Sequence, residues 1–327
     1  MPRKAAWAIA FAALALLPLV SNSYTQYIWN LILINIIAVI GLNLIIGYAG
    51  QFAFAHSAFM GISAYMTALL MAKWGLPFLV TVPVSGVLTA LIGCAVGVPA
   101  LRVRGVYLAL TTVAFAEFVQ WIFVHWDAVT RGVEGIHVAM PDFLEGVQRD
   151  KGMFYVILPV TFLMIGLAGL ILQSKLGRAF AAMRDSEVAA ESVGIDLAMT
   201  KVTAFALSAF YAGIAGSLYA VALGYVVPQS FALFQVFVLF SMVVIGGMGS
   251  LAGSILGAVV LTALPEGLRS TQGVQEIIYG VILTGSIFFM PFGIAGALQR
   301  RGWLPREILV RGWREERNVS TSSAAKT

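Results

Sequence analysis

The sequence predicts an all-α, polytopic membrane helix bundle of about 8–10 transmembrane helices, and three observations carry that expectation. The 327 residues are 60% hydrophobic and 11% charged, whereas soluble domains run at roughly 45–50% and about 25%. A soluble fold of this length has too little interior to hide so much apolar surface. The apolar residues also come in unbroken stretches near the length of about 20 residues that a helix needs to cross ~30 Å of hydrocarbon. Finally, they do not alternate with polar residues at period two, as the strands of a membrane barrel would.

Taken in order, the stretches lie near 5–20, 27–47, 52–72, 78–98, 105–124, 153–173, 203–223, 231–246, 250–265 and 276–296, ten in all. Segments 231–246 and 250–265 are short and either cross or fold back as re-entrant hairpins. Segment 5–20 follows Arg3 and Lys4 in the manner of a signal peptide, but Ser21-Asn22-Ser23 is a poor small-x-small cleavage site, which favours a retained helix.

Charge placement supports this order. With Arg3 and Lys4 inside and one crossing per segment, Arg102 and Arg104 fall inside and the loop 125–152 falls outside, carrying three Arg/Lys against five Asp/Glu. The loop 174–202, with Lys175, Arg178, Arg184 and Lys201, falls inside. So does the tail, where seven Arg/Lys from Arg300 onward face three Glu. Excess Arg and Lys mark cytoplasmic segments, so both termini are expected in the cytoplasm. The division expected is a transmembrane unit over 1–298, holding the external loop 125–152 and the cytoplasmic loop 174–202, and a basic tail over 299–327. The basic excess belongs to membrane topology and is no nucleic-acid signal. Cys94 is alone, so disulfides contribute nothing to the fold, and no Cys/His spacing suggests a metal ligand set.

The cytoplasmic loop reads as a short amphipathic helix with Gly177 and Gly194 at its natural ends. Leu176, Phe180 and Met183 share one stripe at spacings of four and three; Arg184, Glu187 and Glu191 share a charged one. Such a helix can lie on lipid, pack under its own bundle, or dock into a partner. Its exposed charge is as acidic as basic, which weakens the lipid reading.

Within that loop, Glu187-Val-Ala-Ala-Glu191-Ser-Val-Gly194 resembles the cytoplasmic EAA-type loop of ABC importer permeases. The surrounding run from Gly177 to Ile195 is similar to the version in LivM-type permeases of branched-chain amino acid importers. Further matches are Gly41-Leu-Asn-Leu-Ile-Ile-Gly-Tyr-Ala-Gly-Gln51, His56-Ser-Ala-Phe-Met-Gly-Ile-Ser-Ala-Tyr65, Val244-Ile-Gly-Gly-Met-Gly-Ser-Leu-Ala-Gly253 and Met290-Pro-Phe-Gly-Ile-Ala-Gly296. Together they cover roughly residues 30–297, although no Leu-Pro follows the loop glycine as in the broader EAA pattern. The resemblance implies that Arg178, Arg184, Glu187, Ala189, Ala190, Glu191 and Gly194 couple the chain to an ATPase. It further implies two cytoplasmic ATPase subunits, a second homologous permease, an external or periplasmic substrate-binding protein, and a place in a bacterial inner (plasma) membrane. No cofactor belongs to this chain on that reading. It lacks a G-x-x-x-x-G-K-[ST] loop, so ATP would be used by partner subunits.

Two segments share a local pattern: Ile46-Gly47-Tyr-Ala-Gly50-Gln-Phe-Ala53 aligns with Ile245-Gly246-Gly-Met-Gly249-Ser-Leu-Ala252. Glycine-interrupted helices in corresponding places point to a substrate path in secondary transporters, and the same logic is extended here by analogy. The alternative is close packing: Gly249, Gly253 and Gly257 form a small-residue ridge, as do the pairs Ala209/Gly213 and Ala212/Gly216. Candidate path residues are Asn43, Gly47, Gly50, Gln51, His56, Glu117, Gly246 and Gly249. Glu117 and Gln120, three residues apart, are read as one bundle-facing polar stripe that serves either a wet path or an interhelical hydrogen bond. His56 is read as packed or path-lining.

No pair of carboxylates and no nucleophile with its base resembles a catalytic site, so the chain is not read as an enzyme. Trp303, Trp313 and the apolar residues between them, interleaved with Arg301, Arg306, Arg311 and Arg314, suit a helix at an anionic inner membrane face. The stretch 320–327 is expected to be disordered. The outer loop, with Trp126 and Thr130-Arg-Gly-Val-Glu-Gly-Ile136, is either a solvated connector or a contact for the binding protein. The functional expectation is thus a transport permease for branched-chain or related hydrophobic amino acids. A self-sufficient secondary carrier, a permease for a small amide such as urea, and a polytopic membrane enzyme stand as alternatives.

Overall fold

The computed structural model describes residues 22–103, 105–141, 148–267 and 293–300, with Leu14, Leu144, Gly146, 280–281 and 284–285 besides. The expected segments 5–20 and 276–296 and the tail beyond 300 fall outside these, apart from the few positions named. The other eight segments form helices. In chain order they are α1 (Ser23–Asn43, continued as a π-helical turn Leu44–Tyr48), α2 (His56–Trp74), α3 (Phe78–Ala100), α4 (Val106–His125) and α5 (Arg149–Gln173). The loop helices α6 (Lys175–Asp185) and α7 (Glu187–Ser192) follow. Then come α8 (Leu197–Leu223), α9 (Leu233–Gly246), α10 (Leu251–Gly267) and a short α11 (Gly293–Arg300). The protein is a polytopic helical bundle.

Among the described residues, six helices are long and apolar enough to cross a membrane: α1 with its π turn, α3, α4, α5, α8, and α9 counted from Pro228. The π turn and a 3₁₀ turn, Pro228–Phe231, lengthen the first and last of these. Helix α2 is not among them because His56, Ser57, Ser63 and Thr67 dilute its apolar content. All four are buried in the bundle, and the exposed residues of α2 gather at its end, where Trp74 is 75% exposed.

The centre is built on α1 and α8. The apolar window of α1 is 89% buried and that of α8 72%, whereas α3 and α4 are buried over only 33% and 28%. The outer pair therefore presents apolar residues such as Leu91, Leu110 and Phe118 outward. Between α2, α3 and α8 runs a buried hydroxyl cluster: Thr67 to Ser85 at 3.0 Å, Ser63 to Ser217 at 2.7 Å and Thr67 to Ser217 at 2.9 Å. Interhelical hydrogen bonds of this kind contribute about 0.6 kcal/mol each on average. The small-residue ridges pack as backbone contacts, with Gly213 against Gly86 and Gly246 against Gly253 and Gly257.

The bundle has two distinct ends. At one, β1 (Ile136–His137) pairs antiparallel with β2 (Tyr225–Val226), Ile136 opposite Val226. Arg149 fastens this end by donating to the carbonyls of Val138 and Val221, and Asn30 donates to Asp150 O at 2.9 Å. The other end carries α6 and α7. Helix α9 starts beside β2, where Gln120 donates to Pro228 O, and finishes under the loop. Helix α10 returns from there, and its Thr262 accepts from Asn35 in the middle of α1. Both thus run along the bundle rather than folding back near one end.

Candidate functional site

The loop expected to hold one helix holds two. Ser174 caps α6, accepting from Leu176 N at 3.1 Å, and Ser186, in extended conformation, caps α7 by accepting from Ala189 N at 3.3 Å. Such side-chain caps satisfy amides that a helix start leaves open. Gly194 ends α7 with φ +84°, as the sequence suggested. Gly177 lies inside α6, against the backbone of Leu172, rather than at a helix end.

The kink at Ser186 redirects the charged stripe. Phe180 and Met183 are buried as expected, but Arg184 and Glu187 turn toward the bundle and only Glu191 of that stripe is exposed. Arg184 Nη1 donates to Gly47 O at 2.6 Å. Glu187 accepts from Gln51 Nε2 at 3.4 Å and pairs with Lys201 Nζ at 2.7 Å. Among the remaining coupling candidates, Ala189, Gly194 and Arg178 are exposed, Arg178 donating to Gln173 O, while Ala190 is buried.

The two glycine breaks meet beneath this loop. The first is the π turn after α1 followed by an irregular stretch to His56; the second is the turn between α9 and α10. Gly50 and Gly249, matched in the sequence pattern, both adopt positive φ, at +69° and +73°, a conformation that favours glycine. Asn43 ties one break to the other: its Oδ1 accepts from Gly249 N at 2.9 Å, and its Nδ2 donates to Ser250 O at 3.0 Å and Ser254 Oγ at 2.7 Å. A Cβ on Gly47 would sit 2.5 Å from Gly249 N and collide with Asn43. Asn43, Gly47, Gly50, Gln51, Gly246 and Gly249 thus form one cluster at the loop end.

His56 and Glu117 lie apart from it. His56 is buried with Nδ1 3.1 Å from Ser208 Oγ, a packed interhelical contact. The expected bundle-facing stripe of Glu117 and Gln120 divides. Gln120 is half-buried and bonds Pro228, while Glu117 stands exposed on the outer face of α4 with Tyr107, Leu110, Phe118 and Trp121. No hydrogen bond or ion pair engages Glu117 among the described residues. Sequence reasoning missed Lys201, Ser250 and Ser254 as site residues. Lys201 had a signal, as the sole charge in the apolar run that forms α8.

A largely apolar helix bundle, with two broken helices joined by buried polar groups beneath a protruding helical loop, is a multi-pass membrane transport permease. The chain belongs to the family described as branched-chain amino acid transport system / permease component, whose family model matches residues 24–290. It is 31% identical over 302 residues to the high-affinity branched-chain amino acid transport system permease protein LivM of Escherichia coli K12, covering 85% of this chain and 71% of that protein. The LivM of Salmonella typhimurium is 32% identical over 287 residues, covering 80% and 68%. A more distant relative is the autoinducer 2 import system permease protein LsrC of Klebsiella pneumoniae, 28% identical over 57% of this chain and 54% of that protein. No solved structure matches.

Proposed function

We propose that this chain is the transmembrane permease subunit of an ATP-driven importer for branched-chain or related hydrophobic amino acids, working by alternating access. One observation carries the coupling role. Helix α7 and the turn after it hold Val188 and Val193 outward, each 74% exposed, while Arg184 and Glu187 root the same loop in the bundle. Two exposed valines at the tip of this loop offer apolar contact to a docking partner, and a rooted loop can pass displacement inward. The occupant on this reading is a cytoplasmic ATPase, one of two. The loop end then faces the cytoplasm of a bacterial inner membrane, as do both termini, and ATP is used by those partners. The division into a transmembrane unit over 1–298 and a basic tail over 299–327 belongs to the same reading.

Glu117 supports a second, homologous permease. It sits near the midpoint of the 20-residue α4 and faces out of this chain. A carboxylate facing lipid at that depth costs about 2.5–3.5 kcal/mol. A second permease over that face removes the cost and places the carboxyl at the shared path. At the opposite end, exposed Trp126, Arg131, Val133 and Glu134 on the strand-anchored loop offer a surface to an external substrate-binding protein. The relatives named LivM supply the cargo class.

The test is reconstitution of the chain with the co-encoded ATPases, permease and binding protein. With Val188→Asp and Val193→Asp together, the ATPase should no longer co-purify and ATP-dependent leucine uptake should fall to background, with the gel-filtration profile retained. Continued ATPase retention, or ion-driven uptake by this chain alone, would refute the proposal.

A further inference from the structure

Three glycines of the two breaks converge on one side chain. Arg184 donates to Gly47 O at 2.6 Å, in the π turn that ends α1. A Cβ built on Gly249, in the turn that ends α9, would lie 2.7 Å from Arg184 Nη1, so the guanidinium rests directly against that glycine. A Cβ on Gly50 would meet Arg184 Cγ at 3.0 Å and its Cα and Cβ at 3.1 Å. One arginine therefore touches three of the four glycines matched in the sequence pattern.

Electrostatics gives this placement a purpose. Helix C-termini carry unsatisfied carbonyls and a partial negative charge, roughly half an elementary charge each. The ends of α1 and α9 come together here, linked by Asn43, and two like ends brought together repel. A guanidinium between them offsets that repulsion. Among the described residues Arg184 forms no ion pair, so its charge is met by carbonyl and helix-end dipoles rather than by a carboxylate. It also lies two residues before the Ser186 kink, at the root of α7. Glu187 holds the far side of the first break through Gln51 at 3.4 Å.

We infer that Arg184 is the positioning residue that converts displacement of the loop into a change in the spacing of the two glycine breaks. This rests on the reading of the loop as the ATPase seat. When the loop shifts, the arginine shifts with it, and both helix ends follow or lose their shared cation. Glu187 and Gln51 form a second, weaker thread to the first break alone. Arg184 on this account does not dock the ATPase; it acts on the inside of a loop whose outside does.

The experiment uses the complete reconstituted importer in proteoliposomes, on a Cys94→Ala background with Met248→Cys as a reporter, since Met248 is exposed in the second break. Thiol labelling of this cysteine is measured with and without ATP in Arg184→Gln, Arg184→Lys and Arg178→Gln. Arg178 is a control in the same loop, exposed and bonded only to Gln173 O. In the parent and in Arg178→Gln, ATP should change the labelling rate. In Arg184→Gln the ATPase should co-purify within twofold of parent and still hydrolyse ATP. Leucine taken up per ATP should fall at least tenfold, and the ATP-dependent labelling change should vanish. Arg184→Lys, which keeps the charge, should recover part of both. If Arg184→Gln is not produced, an undiminished labelling change in Arg184→Lys overturns the inference. Uptake within twofold of parent in Arg184→Gln overturns it, as does loss of uptake with the labelling change intact. Loss of the ATPase from Arg184→Gln would place Arg184 in the docking surface and refute it. A parent assembly that binds no ATPase would instead sink the permease reading itself.

Discussion

Replacing Lys201 with methionine should loosen α7 from the bundle, and the structure sets the size of the effect. Lys201 Nζ lies 2.7 Å from Glu187 Oε1, with its side chain 4% exposed and that of Glu187 20% exposed. At an effective dielectric near 20, charges at that separation attract by about 6 kcal/mol. Desolvating the lysine consumes much of this, and the part-exposed carboxylate is screened, which leaves a net coupling of about 2 kcal/mol. Lys201→Met should therefore destabilise the protein by about 3 kcal/mol, because Glu187 is left half-sheltered without its cation. Glu187→Gln should cost at least as much, about 3 kcal/mol, since it strands the more deeply buried Lys201 without its carboxylate. The double variant should cost less than the two summed, by about 2 kcal/mol. Denaturation in mixed micelles, followed by tryptophan fluorescence, gives the four free energies of the cycle. A coupling below about 0.5 kcal/mol, the range of a surface pair, would show that the contact does not anchor the loop.

Other perturbations have distinct signatures. Glu117→Leu should leave the bundle as stable as before or raise its melting temperature slightly, yet lower uptake at least tenfold; unchanged uptake in vesicles would remove this residue from the path. Gly249→Ala should be more harmful than Gly75→Ala, since its Cβ must displace the Arg184 guanidinium from the break. Both carry positive φ, which costs about 1–2 kcal/mol for alanine, but a Cβ at Gly75 meets nothing within 4 Å. Equal loss of folded yield in the two variants would show that crowding at the break is unimportant. Gly135→Ala, with φ +72° and a Cβ driven into Val226 O, should unhook β1 from β2 and impair stimulation by the binding protein while leaving basal ATP hydrolysis unchanged. Binding-protein titrations of the hydrolysis rate check this.

Much of the fold was legible because burial in lipid is written as unbroken apolarity, and eight of the expected segments appear as helices among the described residues. The site was legible in part. Glycine breaks leave a local signature, and the order of crossings placed both of them at the loop's end of the bundle. What stayed hidden depended on direction rather than position. A single-helix reading put Arg184, Glu187 and Glu191 on one stripe, but the extended Ser186 between α6 and α7 rotates the second helix and splits the stripe. Residues three apart on a helix differ by about 60° in azimuth, so Glu117 and Gln120 fall on opposite sides of the boundary between bundle and exterior. Lys201 looked like a topological charge, because sequence spacing says nothing of a carboxylate fourteen residues away across a loop.

The π turn at Leu44–Tyr48 has a consequence for how the first break can rearrange. Its hydrogen bond from Ala49 N reaches back to Leu44 O, five residues away, so this winding holds one more residue than an α-helical turn would. Rewinding to the ordinary pitch would hand that residue to the irregular stretch before His56. The connector would lengthen by about 3 Å with no helix torn from the bundle, and α1 carries this slack where it meets its neighbours.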